Sequence, residues 1–195
     1  MCGEHLRAQR YLVSGVATCM AGFVSPFGST NDDHFDDYDE YIPAHLPEAG
    51  HFLQDHDILE GLDHVEFHRH TRELFEERTV YDMTFGYNLA RLNLDTRHPD
   101  AGFRYAREID DPVTLRAVFT PTTPFCPQAN TLAIGSFRAW NGLADRHEYE
   151  LVRVRIAPMH HQQTGINERL KTLESRFQDT GEITEDGEGD ELSVG

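Results

Sequence analysis

From Val113 to Phe119 the chain places Val113, Leu115, Ala117 and Phe119 on one side and Thr114, Arg116 and Val118 on the other. That period of two predicts a half-buried strand, and Pro121 stops it. After Cys126 the period lengthens: Ala129, Leu132, Ala133, Ser136, Phe137 and Trp140 recur at the i, i+3, i+4, i+7 spacing of one buried helix face, closed by Asn141-Gly142. Pro127 is then expected as the first helical residue and Cys126 as the N-cap.

The same reading extends in both directions. Between Ile58 and Tyr81 it predicts a helix with Leu74 and Phe75 facing the core and Thr71 as a local cap, then a strand from Tyr87 to Leu94. Asp95 to Gly102 reads as a loop. Phe103, Tyr105, Arg107 and Ile109 alternate up to the turn Asp110-Asp111-Pro112, which makes a hairpin with the next strand. Downstream, Glu150 to Ile156 alternates Val152, Val154 and Ile156 inward against arginines outward, and Pro158 ends that strand. A closing helix carries Ile166, Leu170, Leu173 and Phe177 as a buried stripe, with Arg169, Lys171 and Glu174 outside.

The order helix, strand, hairpin, helix, strand, helix predicts an α+β fold, a two-layer domain with a small mixed β-sheet packed by about three helices. The expected division is a flexible N-terminal extension over 1–57, the domain over 58–178 and a disordered acidic tail over 179–195. Composition supports the outer boundaries. Asn31 to Asp57 holds nine acids and no lysine or arginine, and seven acids and no base lie beyond Gln178, which reads as a solvated tail rather than a binding motif.

With 195 residues and 38% hydrophobic content the chain has one modest core. Its net charge of −17, with a single lysine, Lys171, against sixteen arginines, suits a halophile's acidic cytoplasmic protein and opposes nucleic-acid binding, which needs cationic groups on phosphates. Cys2, Cys19 and Cys126 are too few and scattered for a disulfide framework, and no Cys-x-x-Cys occurs. Arg7 and Arg10 precede an uncharged run to Pro26 that outlines a signal peptide, but Ser14, Gly15, Thr18 and Gly22 make it mildly apolar. It is read as an N-terminal extension or a misplaced start, with no membrane span.

Candidate chemistry centres on Cys126. A thiol at a helix N-terminus meets unpaired backbone N–H groups and ionises more readily, and thiolate is the form that binds metal or attacks electrophiles. His160 and His161, delivered to a loop by Pro158, and Asp82 are its expected neighbours. His64 and His68 share a helix face at i, i+4, a metal-compatible spacing without a third ligand, and they read as a solvated acidic helix studded with histidine.

Thr120-Pro121-Thr122-x-Pro124-x-Cys126, with Thr131-Leu132-x-Ile134-Gly135, resembles the signature of the MIP18-like (DUF59) iron–sulfur cluster assembly domain. Ile156-Ala157-Pro158-Met159-His160-His161 with Ile166-Asn167-Glu168-Arg169-Leu170, and Val80-Tyr81-Asp82 with Asn88 to Leu94, are similar to two further segments of that family. The chain departs from the pattern at Met83-Thr84-Phe85-Gly86 and at Phe125, each replacing a polar or turn motif beside the expected site. The resemblance implies a cytoplasmic assembly or targeting factor rather than an enzyme. It would bind iron or an iron–sulfur cluster transiently through Cys126, His160 and His161 with Asp82 beside them, or dock an iron–sulfur scaffold to recipient apoproteins. One thiolate cannot hold a cluster that takes four protein ligands, so a homodimer, a partner or a small thiol would complete the site. Two alternatives stand: a cysteine-dependent enzyme with Cys126 as nucleophile and His161 as base, and the accessory protein of a multicomponent oxygenase.

Overall fold

The computed structural model describes residues 46–94 and 98–183. In chain order they form α1 (Gly50–Leu53), β1 (Asp57–Ile58), α2 (Gly61–Glu77), β2 (Tyr81–Asp82), β3 (Tyr87–Asn88), a 3-10 turn (Leu89–Leu94), β4 (Gly102–Arg107), β5 (Thr114–Thr120), α3 (Ala129–Gly142), a short 3-10 turn (Ala144–Arg146), β6 (Leu151–Ile156) and α4 (Gln163–Thr180). The expectations for the first thirty residues, for Cys2 and Cys19 and for the acidic tail beyond residue 183 lie outside the described residues; of that tail, 179 and 180 continue the last helix and Ile183 packs on the core.

The main sheet runs β1-β4-β5-β6, and β2 and β3 form a separate hairpin, so the fold is α+β with a mixed sheet. The hairpin read from the sequence forms with Phe103 opposite Phe119 and Arg107 opposite Leu115. β6 lies parallel to β5, with Ala117 opposite Val154. Parallel neighbours need a crossover, and α3 supplies it. Leu115, Ala117 and Phe119 of β5 and Val152, Val154 and Ile156 of β6 are buried with Phe137 and Trp140 of α3 and Phe75 of α2. The alternation seen in the sequence is therefore the packing pattern of the sheet's helix-covered side.

Several local expectations are corrected. The run Tyr87 to Leu94 is a strand only at Tyr87–Asn88, because the Asn88 side-chain oxygen accepts the Ala90 N–H at 3.0 Å and turns the chain into a 3-10 coil. Thr71 is no cap: it lies buried within α2, where its hydroxyl accepts the Trp140 indole N–H at 3.2 Å. His64 and His68 do share a face of α2, but that face is buried, their rings stacked with centroids 5.5 Å apart beside Tyr105.

Glu174, expected in solvent, is only 6% exposed. It pairs with Arg153 and, at 2.8 Å, with Arg155, while Glu108 binds Arg153 and Arg116 at 2.8 Å each. The outward arginines of β6 are thus neutralised on the sheet, which is how charged positions persist in a strand that is nearly covered. Ahead of residue 58, α1 packs a fully buried Leu53 with Ala106, Val118 and Ala157 on the sheet's second face. Among the described residues no helix is long and apolar enough to cross a membrane.

Candidate functional site

Because β5 and β6 run parallel, the loops leaving their carboxyl ends emerge side by side, a recurrent position for ligand and partner sites. Residues 121–128 leave β5 and carry Cys126; residues 157–162 leave β6 and carry His160 and His161. Backbone groups stitch the two loops together. The Pro124 carbonyl accepts both the His161 N–H at 3.0 Å and its Nδ1–H at 2.8 Å. His160 Nε2 donates to the Cys126 carbonyl at 3.1 Å, and its Nδ1 accepts the Gln162 N–H at 3.2 Å. Those two bonds define the Nε2–H tautomer and occupy both ring nitrogens.

The β2–β3 hairpin supplies the third wall. Asp82 Oδ1 accepts the N–H groups of Thr84 and Phe85 at 2.7 and 3.2 Å, and the Asp82 carbonyl accepts the Gly86 N–H at 2.7 Å. The turn requires Gly86 at φ +72°. Gln128 ties this hairpin to the cysteine loop: its Oε1 accepts the Met83 N–H at 3.1 Å and its Nε2 donates to the Thr84 hydroxyl at 2.7 Å.

Cys126 is half-buried and packs against the main core. Burial pushes its thiol above the ordinary value and the Asp82 carboxylate adds to that, while the N–H groups of Gln128 and Ala129 oppose it. The expected N-cap placement is corrected accordingly. α3 starts at Ala129 with Gln128 as N-cap, so Cys126 stands outside the helix and feels only two of its amides. Desolvation of an anion outweighs them, and the thiol is protonated at neutral pH.

The four residues singled out in the sequence do converge: Cys126 with His160 and His161 across the loop pair, and Asp82 within electrostatic reach of the sulfur. Among the described residues no three His, Cys, Asp or Glu side chains form a group that could hold a metal ion. His160 would have to give up a backbone hydrogen bond to ligate, and Asp82 is engaged in its own turn. Among the described residues no hydrogen bond joins the Cys126 sulfur to His161, whose Nδ1 is taken by the Pro124 carbonyl. His68 is equally committed, with its ring nitrogens 2.7 Å from the Tyr105 hydroxyl and from the Ala90 carbonyl.

What the sequence reading passed over is apolar. Phe125 is 71% exposed and Met83 79%, with Met159 also exposed beside His160. The Phe125 ring rests on the His161 imidazole with centroids 5.1 Å apart. Phe125 and Met83 stand at the two departures from the family pattern, and that was their signal. Gln128, which joins the two walls, had no signal in sequence.

Fold and site together define a two-layer α+β domain that presents a protonated cysteine and exposed apolar side chains on loops at the ends of a parallel strand pair. The chain belongs to the family described as a domain of unknown function (DUF7998), whose profile matches residues 33–184. That finding overturns the MIP18-like assignment. The shared Thr-Pro-Thr-x-Pro-x-Cys run lies where a strand must end and a loop must turn, a task that selects prolines and threonines in unrelated chains. No curated protein and no solved structure matches the chain.

Proposed function

We propose that the protein is a docking factor whose face around Cys126 binds a partner protein. The observation that carries this reading is the exposure of Phe125 and Met83, with Met159, on three walls that hydrogen bonds hold together. Aromatic and methionine side chains are the residues interfaces favour, and an aromatic ring seated in a partner's pocket is a common energetic anchor. The chain's charge of −17 selects a partner with a basic rim around an apolar recess. A protonated, half-buried thiol supports binding rather than catalysis. Transient carriage of iron or a cluster to recipient apoproteins is the narrower form of the same role, and it requires the cysteine in addition to the apolar ring.

A photo-crosslinking amino acid at position 125 of the full chain captures the contacted protein in cells. The purified partner is then titrated against wild type, Phe125→Glu and Cys126→Ser. The expected result is at least about a tenfold loss of affinity for Phe125→Glu and near-wild-type binding for Cys126→Ser. Equal affinity for wild type and Phe125→Glu removes the reading. Iron that co-purifies anaerobically with wild type and vanishes in Cys126→Ser assigns the carrier role.

A further inference from the structure

The main sheet has two open edges. Among the described residues β6 has a strand on one side only, and β1 covers β4 only at Ala106 and Arg107. Alternate residues of a strand turn their N–H and C=O groups to the same side, so Val152, Val154 and Ile156 of β6 direct theirs away from β5. A row of this kind is a template for pairing with another chain, and Val152-Arg153-Val154-Arg155-Ile156, β-branched at every second position, favours the strand state.

Asparagine side chains occupy the row. The Asn141 carboxamide, on α3, accepts the Val152 N–H at 2.8 Å and donates to the Val152 carbonyl at 2.9 Å. Asn167, on α4, treats Ile156 in the same way, accepting at 2.8 Å and donating at 3.2 Å. Between them the Val154 carbonyl accepts from Arg155 Nη1 at 2.7 Å. On the opposite edge Asn93 accepts the Phe103 N–H at 2.6 Å and donates to the Phe103 carbonyl at 2.8 Å. A carboxamide that exchanges both bonds with one residue offers that residue what a paired strand would offer.

The two carboxamides on β6 are also held from behind. Asn141 Nδ2 donates to the Phe137 carbonyl at 2.8 Å and Asn167 Nδ2 to Gln163 Oε1 at 3.2 Å, so each amide is oriented by its own helix. Asn93 and Asn141 are buried, Asn167 half-buried. Burying a carboxamide is costly unless its bonds are made, and the bonds made here are those a second chain would need.

We propose that Asn93, Asn141 and Asn167 close the sheet against strand addition, so that the domain neither pairs edge to edge with a second copy nor takes up an extended peptide as an extra strand. This closure acts at contact distance and does not depend on salt. Repulsion between chains of charge −17 is screened beyond a Debye length of about 3 Å near 1 M salt. Charge alone would therefore leave the edges open to pairing there. The inference does not rest on the docking role of the Cys126 face, which is left to bind through its side chains.

The test uses the full chain as wild type, as Asn167→Ala and as the double variant Asn141→Leu, Asn167→Leu. The probe is a synthetic peptide copying residues 150–157. Both variants are expected to bind it at least about tenfold more tightly than wild type, and methylating alternate backbone nitrogens of the peptide should abolish the gain. In sedimentation velocity the double variant should associate beyond wild type as concentration rises, and more so at about 1 M than at about 0.1 M salt. Asn167→Ala spares both buried asparagines and carries the test should the double variant fail to fold. A folded variant that takes the peptide no better than wild type overturns the proposal. Equal binding of the methylated peptide does so too, because the attraction would then be loosened apolar packing and not the strand edge.

Discussion

His160 Nε2 donates to the backbone carbonyl of Cys126 at 3.1 Å, joining the loop after β6 to the loop after β5. The same carbonyl accepts the Ala129 N–H that opens α3, so one oxygen links the cysteine, the histidine and the helix start. His160 is buried, and removing its ring would leave that bond unmade. His160→Ala should destabilise the domain by about 1 to 3 kcal/mol and loosen the cysteine loop. Urea denaturation checks the first effect and faster thiol labelling of Cys126 the second. Labelling no faster than wild type would show that the bond does not restrain the loop.

The Cys126 thiol ionises above the ordinary value, chiefly because it is desolvated and further because Asp82 is near. In a Cys2→Ser, Cys19→Ser background, alkylation should have its pH midpoint above the ~8.5 of a free cysteine. Asp82→Asn removes the charge but leaves burial in place, so it should lower the midpoint only in part. A wild-type midpoint below that of free cysteine would contradict the geometry.

Burial holds the His68 imidazole down to about 4, and His64 down to about 2, where the positive charges of His68 and Arg104 add to burial. A histidine depressed in the folded state binds its proton more readily when unfolded, so it stabilises fully above about 6.5. That stability is lost as pH falls from 6.5 towards 4. The urea midpoint should drop steeply between about pH 6.5 and 4.5, a loss on the order of a few kcal/mol, and His64→Phe should flatten the slope. An unchanged slope in the variant would place the acid sensitivity elsewhere.

Glu174 sits between Arg153 and Arg155, where its side chain is nearly covered. Glu174→Gln leaves Arg155 beside a neutral amide and Arg153 with Glu108 as its remaining carboxylate, and should cost about 3 kcal/mol. Covered pairs are screened less than surface pairs. The loss should persist in concentrated salt, whereas Lys171→Gln, which breaks the exposed pair with Glu168 at 2.8 Å, should change stability by less than about 1 kcal/mol. Guanidinium-free thermal melts at low and high potassium chloride separate the two.

Gly102 opens β4 at φ +110°, and a Cβ there would lie 2.1 Å from the Asn93 carboxamide oxygen. That carboxamide accepts the Phe103 N–H at 2.6 Å and donates to the Phe103 carbonyl at 2.8 Å, clamping the 3-10 turn to the strand. Gly102→Ala should therefore destabilise by more than about 2 kcal/mol, with strain and a broken clamp combined. A denaturant midpoint within error of wild type would refute this.

The sequence by itself determined the elements whose burial repeats at a fixed period. Leu115, Ala117 and Phe119, Val152, Val154 and Ile156, and the stripe from Ala129 to Trp140 all face the core as their spacing requires, because local geometry alone dictates which side chains share a face. Cys126, His160, His161 and Asp82 were legible as neighbours for a related reason: each stands just beyond or at the end of a strand whose end a proline or a turn marks. Only the tertiary structure decided what those residues do. Whether a thiol ionises, whether His160 keeps a free nitrogen and whether Glu174 meets water depend on groups 20 to 45 positions away, brought together by a parallel crossover and a separate hairpin. Desolvation and hydrogen-bond commitment are properties of that assembled neighbourhood, and no periodicity along the chain encodes them.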